Sequence, residues 1–263
     1  MGRDDTGAQT VYRAIGLLQH FTDARPQLRA SELARLSGLG QSTTSRLIGT
    51  LEALGFLERD QRTGLCRLGR QLISLGGVAL NQDPVFRESR MVAQAIACKL
   101  QLGANVAVRD ESAAIYVAHF EGALVSRSQS MVGRRISLHA TGLGKAMLSQ
   151  LSQEEVERLV PASSMHPLTP NTIVTHEALH RELAVVRERG YARELEELAF
   201  GRACLAAPIH DQNGEIVAAM SISGSLSALR LDERERELAG AVIEASDSVS
   251  VALGYGPSQV VVG

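Results

Sequence analysis

His176-Glu177-Ala178-Leu179-His180 matches H-E-x-x-H, a spacing that places two imidazoles and a nearby carboxylate on one helical face. Such a set can hold zinc and activate water, so a metal-dependent hydrolase is one chemistry open to this chain. A second candidate is Thr141-Gly142-Leu143-Gly144-Lys145-Ala146. It lacks phosphate-loop spacing, because His139 stands where the first glycine belongs and Ala146 where Ser or Thr belongs. A glycine turn entering a helix still offers backbone N–H groups to an anion. The third candidate binds rather than reacts. Gln41, Ser42, Thr43, Thr44, Ser45 and Arg46 open a segment that is otherwise apolar at helical spacing. Short polar side chains and Arg at a helix start suit the reading of base edges.

The elements around this third group support it. Leu33, Ala34 and Leu36 give one apolar face to a preceding helix, with Ser31 as its predicted N-cap and Glu32 in its first turn. Ser37 to Gly40 make a turn, and Leu47, Ile48, Leu51 and Leu54 then recur at a helical period until Gly55. That is a helix-turn-helix. Phe56 to Arg59 and Leu65 to Leu68 alternate as strands around Asp60 to Gly64, a hairpin with Arg62 at its tip. The prediction is a winged helix. Gln41, Ser42, Thr43, Thr44 and Arg46 would meet bases or phosphates, and Arg62 the backbone or minor groove. Residues 1–75 carry 10 Lys and Arg against 7 Asp and Glu, the remainder 17 against 22. A weakly basic head on an acidic body fits a DNA-binding domain joined to something else.

The 263 residues suffice for two domains, and 44% hydrophobic content with 21% charged is globular. Cys66, Cys98 and Cys204 are too few and too scattered for a disulfide framework or structural zinc site. With no apolar run of spanning length and no signal segment, a cytoplasmic protein without membrane contact is expected. Residues 1–9 are polar and predicted disordered. Val11, Ala14, Ile15, Leu18 and Phe21 mark a first amphipathic helix, and residues 70–83 a linker helix. Beyond Pro84 a helix to Leu102, with core face Val92, Ala95, Ile96 and Leu100, precedes strands at 105–109 and 113–120. A capping box at Ser152 to Glu155, a helix from His176 stopped by Gly190, a hairpin over 203–222 and a last helix over 232–253 follow. Hairpin-linked strands with helices outside predict an α+β fold with an antiparallel sheet.

Over nearly its full length the sequence resembles the IclR family of bacterial transcriptional regulators. The resemblance rests on Ser-Thr-Thr-Ser-Arg-Leu (42–47), Leu-His-Ala-Thr-Gly-Leu-Gly-Lys-Ala-Met-Leu (138–148), Glu-Glu-Leu-Ala-Phe-Gly-Arg-Ala-Cys-Leu-Ala-Ala-Pro-Ile (196–209) and Ser-Ile-Ser-Gly (221–224). It implies a winged helix-turn-helix over 1–69, a linker helix over 70–83 and a GAF-like effector domain over 84–263. It also implies homodimers or homotetramers on palindromic operator DNA, with no cofactor. Gly142 and Leu143 become anion-binding candidates, and Glu194, Cys204, Ser221 and Ser223 match effector-contacting positions. Val125 and Ser128 align with pocket-wall positions that are often apolar, so Ser128 suggests a more polar effector. Arg134 and Arg135 are read as surface residues. The expected function is a ligand-responsive regulator, a repressor, sensing a small organic acid or related metabolite. A hydrolase using residues 176–180 is the competing reading, although neither a third metal ligand nor a cleft motif accompanies it.

Overall fold

The structure is a computed structural model that describes residues 4–124 and 131–256. The chain divides into two compact units between Leu80 and Asn81. The first contains α1 (Asp4–Leu18), β1 (Leu28–Arg29), α2 (Ala30–Ser37), α3 (Gln41–Ala53), β2 (Leu57–Arg59), β3 (Leu65–Leu68) and most of α4 (Arg70–Gln82). Leu17, Leu33, Leu47, Ile48, Leu51 and Leu57 are buried together with Phe21 and Cys66. Each such aliphatic burial contributes about 1.5–3 kcal/mol. The strands form an antiparallel sheet in the order β1-β3-β2, so the expected hairpin gains a third strand only two residues long.

Three local expectations change here. α2 starts one residue before Ser31, and the Glu32 carboxylate accepts from the Arg29 N–H at 2.7 Å, doing the capping assigned to Ser31. α1 begins at Asp4, within the stretch expected to be disordered. Of its predicted apolar face, Ala14 and Leu18 pack against the core beside buried Leu17 and Phe21, whereas Val11 and Ile15 are exposed.

The second unit opens with α5 (Pro84–Leu100), capped by Asp83, whose carboxylate accepts from the Phe86 N–H at 2.9 Å. Its buried face is Val85, Ser89, Ala93, Ile96, Ala97 and Leu100, which keeps the expected Ile96 and Leu100, while Val92 is half-buried and Ala95 exposed. Then follow β4 (Gly103–Asp110), β5 (Ala113–Phe120), β6 (Arg135–Ser137), α6 (Gly142–Leu148), α7 (Gln153–Leu159) and α8 (His176–Arg189). The chain closes with β7 (Ala192–Leu195), β8 (Arg202–His210), β9 (Ile216–Ser225), α9 (Leu226–Leu229) and α10 (Leu231–Ala252). The six strands pair antiparallel in the order β6-β5-β4-β9-β8-β7, the α+β arrangement expected. The edge strands β6 and β7 are short, which is why alternation did not reveal them. α5 and α10 pack on each other and on one face of the sheet. On the other face, Leu143, Ala146 and Met147 of α6 join Ala107, Ala206 and Ala219, backed by Leu179, Leu183 and Val186 of α8. No helix among the described residues is long and apolar enough to cross a membrane.

Candidate functional site

Strand register lays polar side chains across the sheet in two adjacent rungs. Asn105 on β4 stands between His119 on β5 and Ser221 on β9. Ser223 stands opposite Cys204 on β8, which in turn faces Glu194 on β7. Ser221 and Ser223 are two residues apart and share a face. These residues border a cavity of about 590 Å³, with Tyr116, Leu143 and Leu198 among its walls and Arg134 and Arg202 also lining it. That volume lies within the range of about 300–1,000 Å³ typical of small-molecule sites.

The electrostatics suit binding rather than bond making. Glu194 is buried, and its Oε1 accepts from the N–H groups of Glu197 (2.6 Å) and Leu198 (3.1 Å). Burial raises its carboxyl above the usual range while those two donors oppose the rise. It can therefore accept from a hydroxyl or, when protonated, donate to an anion. Burial, and then neighbouring Glu194, push the Cys204 thiol up, so it is a poor nucleophile. Tyr116 is raised by burial as well.

The glycine loop has a different use from the one expected. Thr141 caps α6, its Oγ1 accepting from the Gly144 N–H at 3.1 Å. A Cβ on Gly142 would lie 2.6 Å from Cys204 Sγ, and one on Gly144 only 2.2 Å from the Leu138 carbonyl oxygen. The glycines let α6 sit directly on the sheet. Gly142 is not among the cavity-lining residues and packs against the Cys204 sulfur, which corrects its assignment as an anion donor at the cavity. Leu143 does line the cavity. Lys145 is buried, with Nζ 2.6 Å from the Arg193 carbonyl and 2.5 Å from Glu197 Oε1. It braces α6 against the 193–197 segment.

In the first unit, Ser42, Ser45 and Arg46 lie at i, i+3 and i+4 on the exposed face of α3, beside exposed Gln41. Thr43 is half-buried. Thr44 must be removed from the predicted set: it is fully buried and its Oγ1 donates to the Gly40 carbonyl at 3.1 Å. Ser45 belongs to the face by helical periodicity alone, a signal present in the sequence. Asp60 Oδ1 accepts from the N–H groups of Arg62 (2.8 Å) and Thr63 (2.9 Å), which shapes the wing turn and leaves Arg62 exposed at its tip. Arg59 and Arg67 are tied to Glu52 and Glu58. Among the described residues, neither Arg46 nor Arg62 is paired with a carboxylate.

Residues 10–61 match the model of the IclR helix-turn-helix domain, and residues 77–251 that of the bacterial transcriptional regulator IclR C-terminal domain. The chain belongs to the IclR family. It is a DNA-binding transcriptional regulator. The transcriptional repressor IclR of Escherichia coli (strain K12) is 33% identical over 248 residues, spanning 94% of this chain and 90% of that protein. An IclR-family regulator from Alicyclobacillus acidocaldarius superposes with a TM-score of 0.83 at 24% identity, covering 94% of this chain and 99% of that one. An IclR homolog from Microbacterium hydrocarbonoxydans, complexed with 4-hydroxybenzoate, gives 0.79 at 22% identity, covering 93% and 98%. These two structural matches carry the fold alone.

Membership of the IclR family, a family of regulators, displaces the hydrolase reading, and the 176–180 histidines have other partners. His176 Nε2 lies 2.7 Å from the Val160 carbonyl, and His180 Nε2 lies 3.2 Å from Glu157 Oε1. No group of three or more metal-ligating side chains occurs among the described residues. Asn105, Tyr116, His119 and Arg202 were not expected at the cavity, and Arg134 was expected only at the surface. Arg135 pairs with Asp110. Val125 and Ser128 lie outside the described residues.

Proposed function

We propose that this IclR-family regulator is a repressor whose second unit senses a small organic acid. The observation that carries this reading is the cavity itself: hydroxyl and protonatable groups on one sheet face, guanidinium groups beside them, and apolar walls. Leu143, Glu194, Cys204, Ser221 and Ser223 are its contacts. Two likenesses support it: the E. coli relative is named a repressor, and the Microbacterium homolog holds an aromatic acid. Operator contact falls to Gln41, Ser42, Thr43, Ser45 and Arg46 in the major groove and to Arg62 in the wing. The winged helix over 1–69, linker over 70–83 and effector domain over 84–263 would work in the cytoplasm as a homodimer or homotetramer. Exposed Ile73, Leu75 and Val78 on the linker helix are consistent with such pairing. The acid acts by binding unequally to the DNA-competent and DNA-free arrangements.

Calorimetry with 4-hydroxybenzoate and shorter monocarboxylates tests the sensing half. Ser221→Ala/Ser223→Ala should weaken the bound acid by about 1–3 kcal/mol, the scale of a lost polar pairing in a buried site. Equal affinities would place the acid elsewhere, and consumption of the ligand would point to an enzyme. Assembly is tested separately. A fragment of residues 1–80 should bind a palindromic operator far more weakly than the full chain, because two linked heads raise each other's effective concentration. Identical affinity and footprint would mean the heads act singly.

A further inference from the structure

The basic side chains that border the cavity are not equivalent. Arg135 is held by Asp110, and His119 by Glu121. Arg134, in the turn before β6, and Arg202, at the start of β8, line the same cavity, and among the described residues neither forms an ion pair. Beyond a 3.9 Å contact of Arg134 Nη1 with Met131 Sδ, no side-chain hydrogen bond engages either guanidinium there. Tyr116 joins them. Its backbone N–H donates to the Arg134 carbonyl at 3.1 Å and its carbonyl accepts from the Gly133 N–H at 2.8 Å, which holds Tyr116 and Arg134 side by side. The Tyr116 side chain is buried yet lines the cavity, and its hydroxyl has no hydrogen-bond partner among the described residues. A buried phenol ordinarily has one. Both guanidiniums lie close enough to oppose the rise that burial imposes on this phenol.

This group is separate from the serines. β5, which carries Tyr116, and β9, which carries Ser221 and Ser223, flank β4, so about 9–10 Å of sheet lies between them. The charges do not balance either. Glu194 is the one carboxyl among the described residues that border the cavity, and burial favours its neutral form. A single carboxylate would leave one of the two unpaired guanidiniums uncompensated. We propose that Tyr116, Arg134 and Arg202 form a second anion-binding end of the cavity, and that the effector is a dicarboxylate whose far carboxylate lies against this trio. The proposal rests on the acid-sensing reading above and adds the second charge of the ligand. Guanidinium forks match carboxylate geometry, and such charge-assisted hydrogen bonds are stronger than neutral ones.

The test is calorimetry on the full chain with straight-chain dicarboxylates from succinate to suberate, each titrated beside its monomethyl ester. The ester keeps one carboxylate and the chain length but loses the second charge. For the best-fitting length, wild type should bind the diacid about tenfold or more tighter than the ester, the scale of one hydrogen bond to a charged group. Arg134→Gln and Arg202→Gln should each cut diacid affinity about five- to tenfold, and Tyr116→Phe, which removes only the hydroxyl, about threefold. All three should leave the ester nearly unchanged, which also shows that the cavity is intact. Equal losses for diacid and ester would mean that these side chains steer anions or support the fold, and would overturn the proposal. So would a diacid preference that survives Arg134→Gln/Arg202→Gln. If wild type binds monocarboxylates and esters as tightly as diacids, the acid-sensing reading stands and only this proposal falls; if it binds none of them, both fall.

Discussion

Lys145→Met is expected to lower the melting temperature of the chain by about 6–20 °C. Lys145 Nζ is buried between Glu197 Oε1 at 2.5 Å and the Arg193 carbonyl at 2.6 Å, with Glu182 Oε1 at 3.6 Å. Glu197 Oε2 is buried without a hydrogen-bond partner, so this carboxylate depends heavily on its lysine. Breaking a buried pair by removing one partner costs about 3–5 kcal/mol, and each kcal/mol shifts a domain of this size by about 2–4 °C. Burial already raises the Glu197 carboxyl, and Lys145 is the leading influence holding it down. Without the lysine it rises further. A carboxyl with a raised folded pKa contributes stability in full below its unfolded pKa and loses it as pH rises through the folded pKa. The loss in Lys145→Met should therefore be greatest at neutral and alkaline pH and shrink on acidification. Glu197→Gln added to it should restore part of the stability. Thermal melts of wild type and the two variants across about pH 5–8 check this. An unchanged melting temperature would mean the pair is exchangeable with solvent.

Arg46→Ala is expected to abolish specific operator binding while the first unit remains folded. Arg46 is exposed on α3, next to Ser42 and Ser45, and its side chain is not part of the buried core built by Leu47, Ile48 and Leu51. One bidentate base contact discriminates by about 1–3 kcal/mol. On a two-fold operator read by two heads the loss doubles to about 2–6 kcal/mol. Arg62→Ala should behave differently. Losing a wing contact to phosphate weakens binding to all sequences alike and reduces the salt slope by about 1 per head, about 2 on a two-fold operator. Gel-shift titrations at fixed salt, repeated with unrelated DNA and over a salt series, separate the two. If Arg46→Ala weakened specific and unrelated DNA equally, Arg46 would be a phosphate contact and base reading would belong to its neighbours.

Local spacing carried a large part of this protein. The apolar period of Leu47, Ile48 and Leu51, the glycine at 55 and the Asp60–Gly64 turn specify the winged helix, because each is a short-range preference satisfied within a few residues. The Ser152 capping box and the Gly190 stop emerged where expected for the same reason. What spacing could not decide was which side of an element faces inward when polar and small residues offer two choices. Thr44 reads as one more hydroxyl in a polar run, yet its position beside Leu47, Ile48 and Leu51 turns it into the core, where its own helix satisfies it. Gly142 reads as a donor to an anion, but Cys204, 62 residues on, packs against it once β8 lies beneath α6. The cavity depended most on tertiary structure. Asn105, His119, Ser221, Cys204 and Glu194 come from five strands, and only antiparallel register sets them in adjacent rungs. Alternation within one strand says which residues share a face, but pairing between strands distant in sequence is fixed by the packed sheet. The amino-acid order thus determined most of the elements, including the helix-turn-helix. The long-range register and burial of the folded sheet decided which polar groups meet, and so what the second unit can bind.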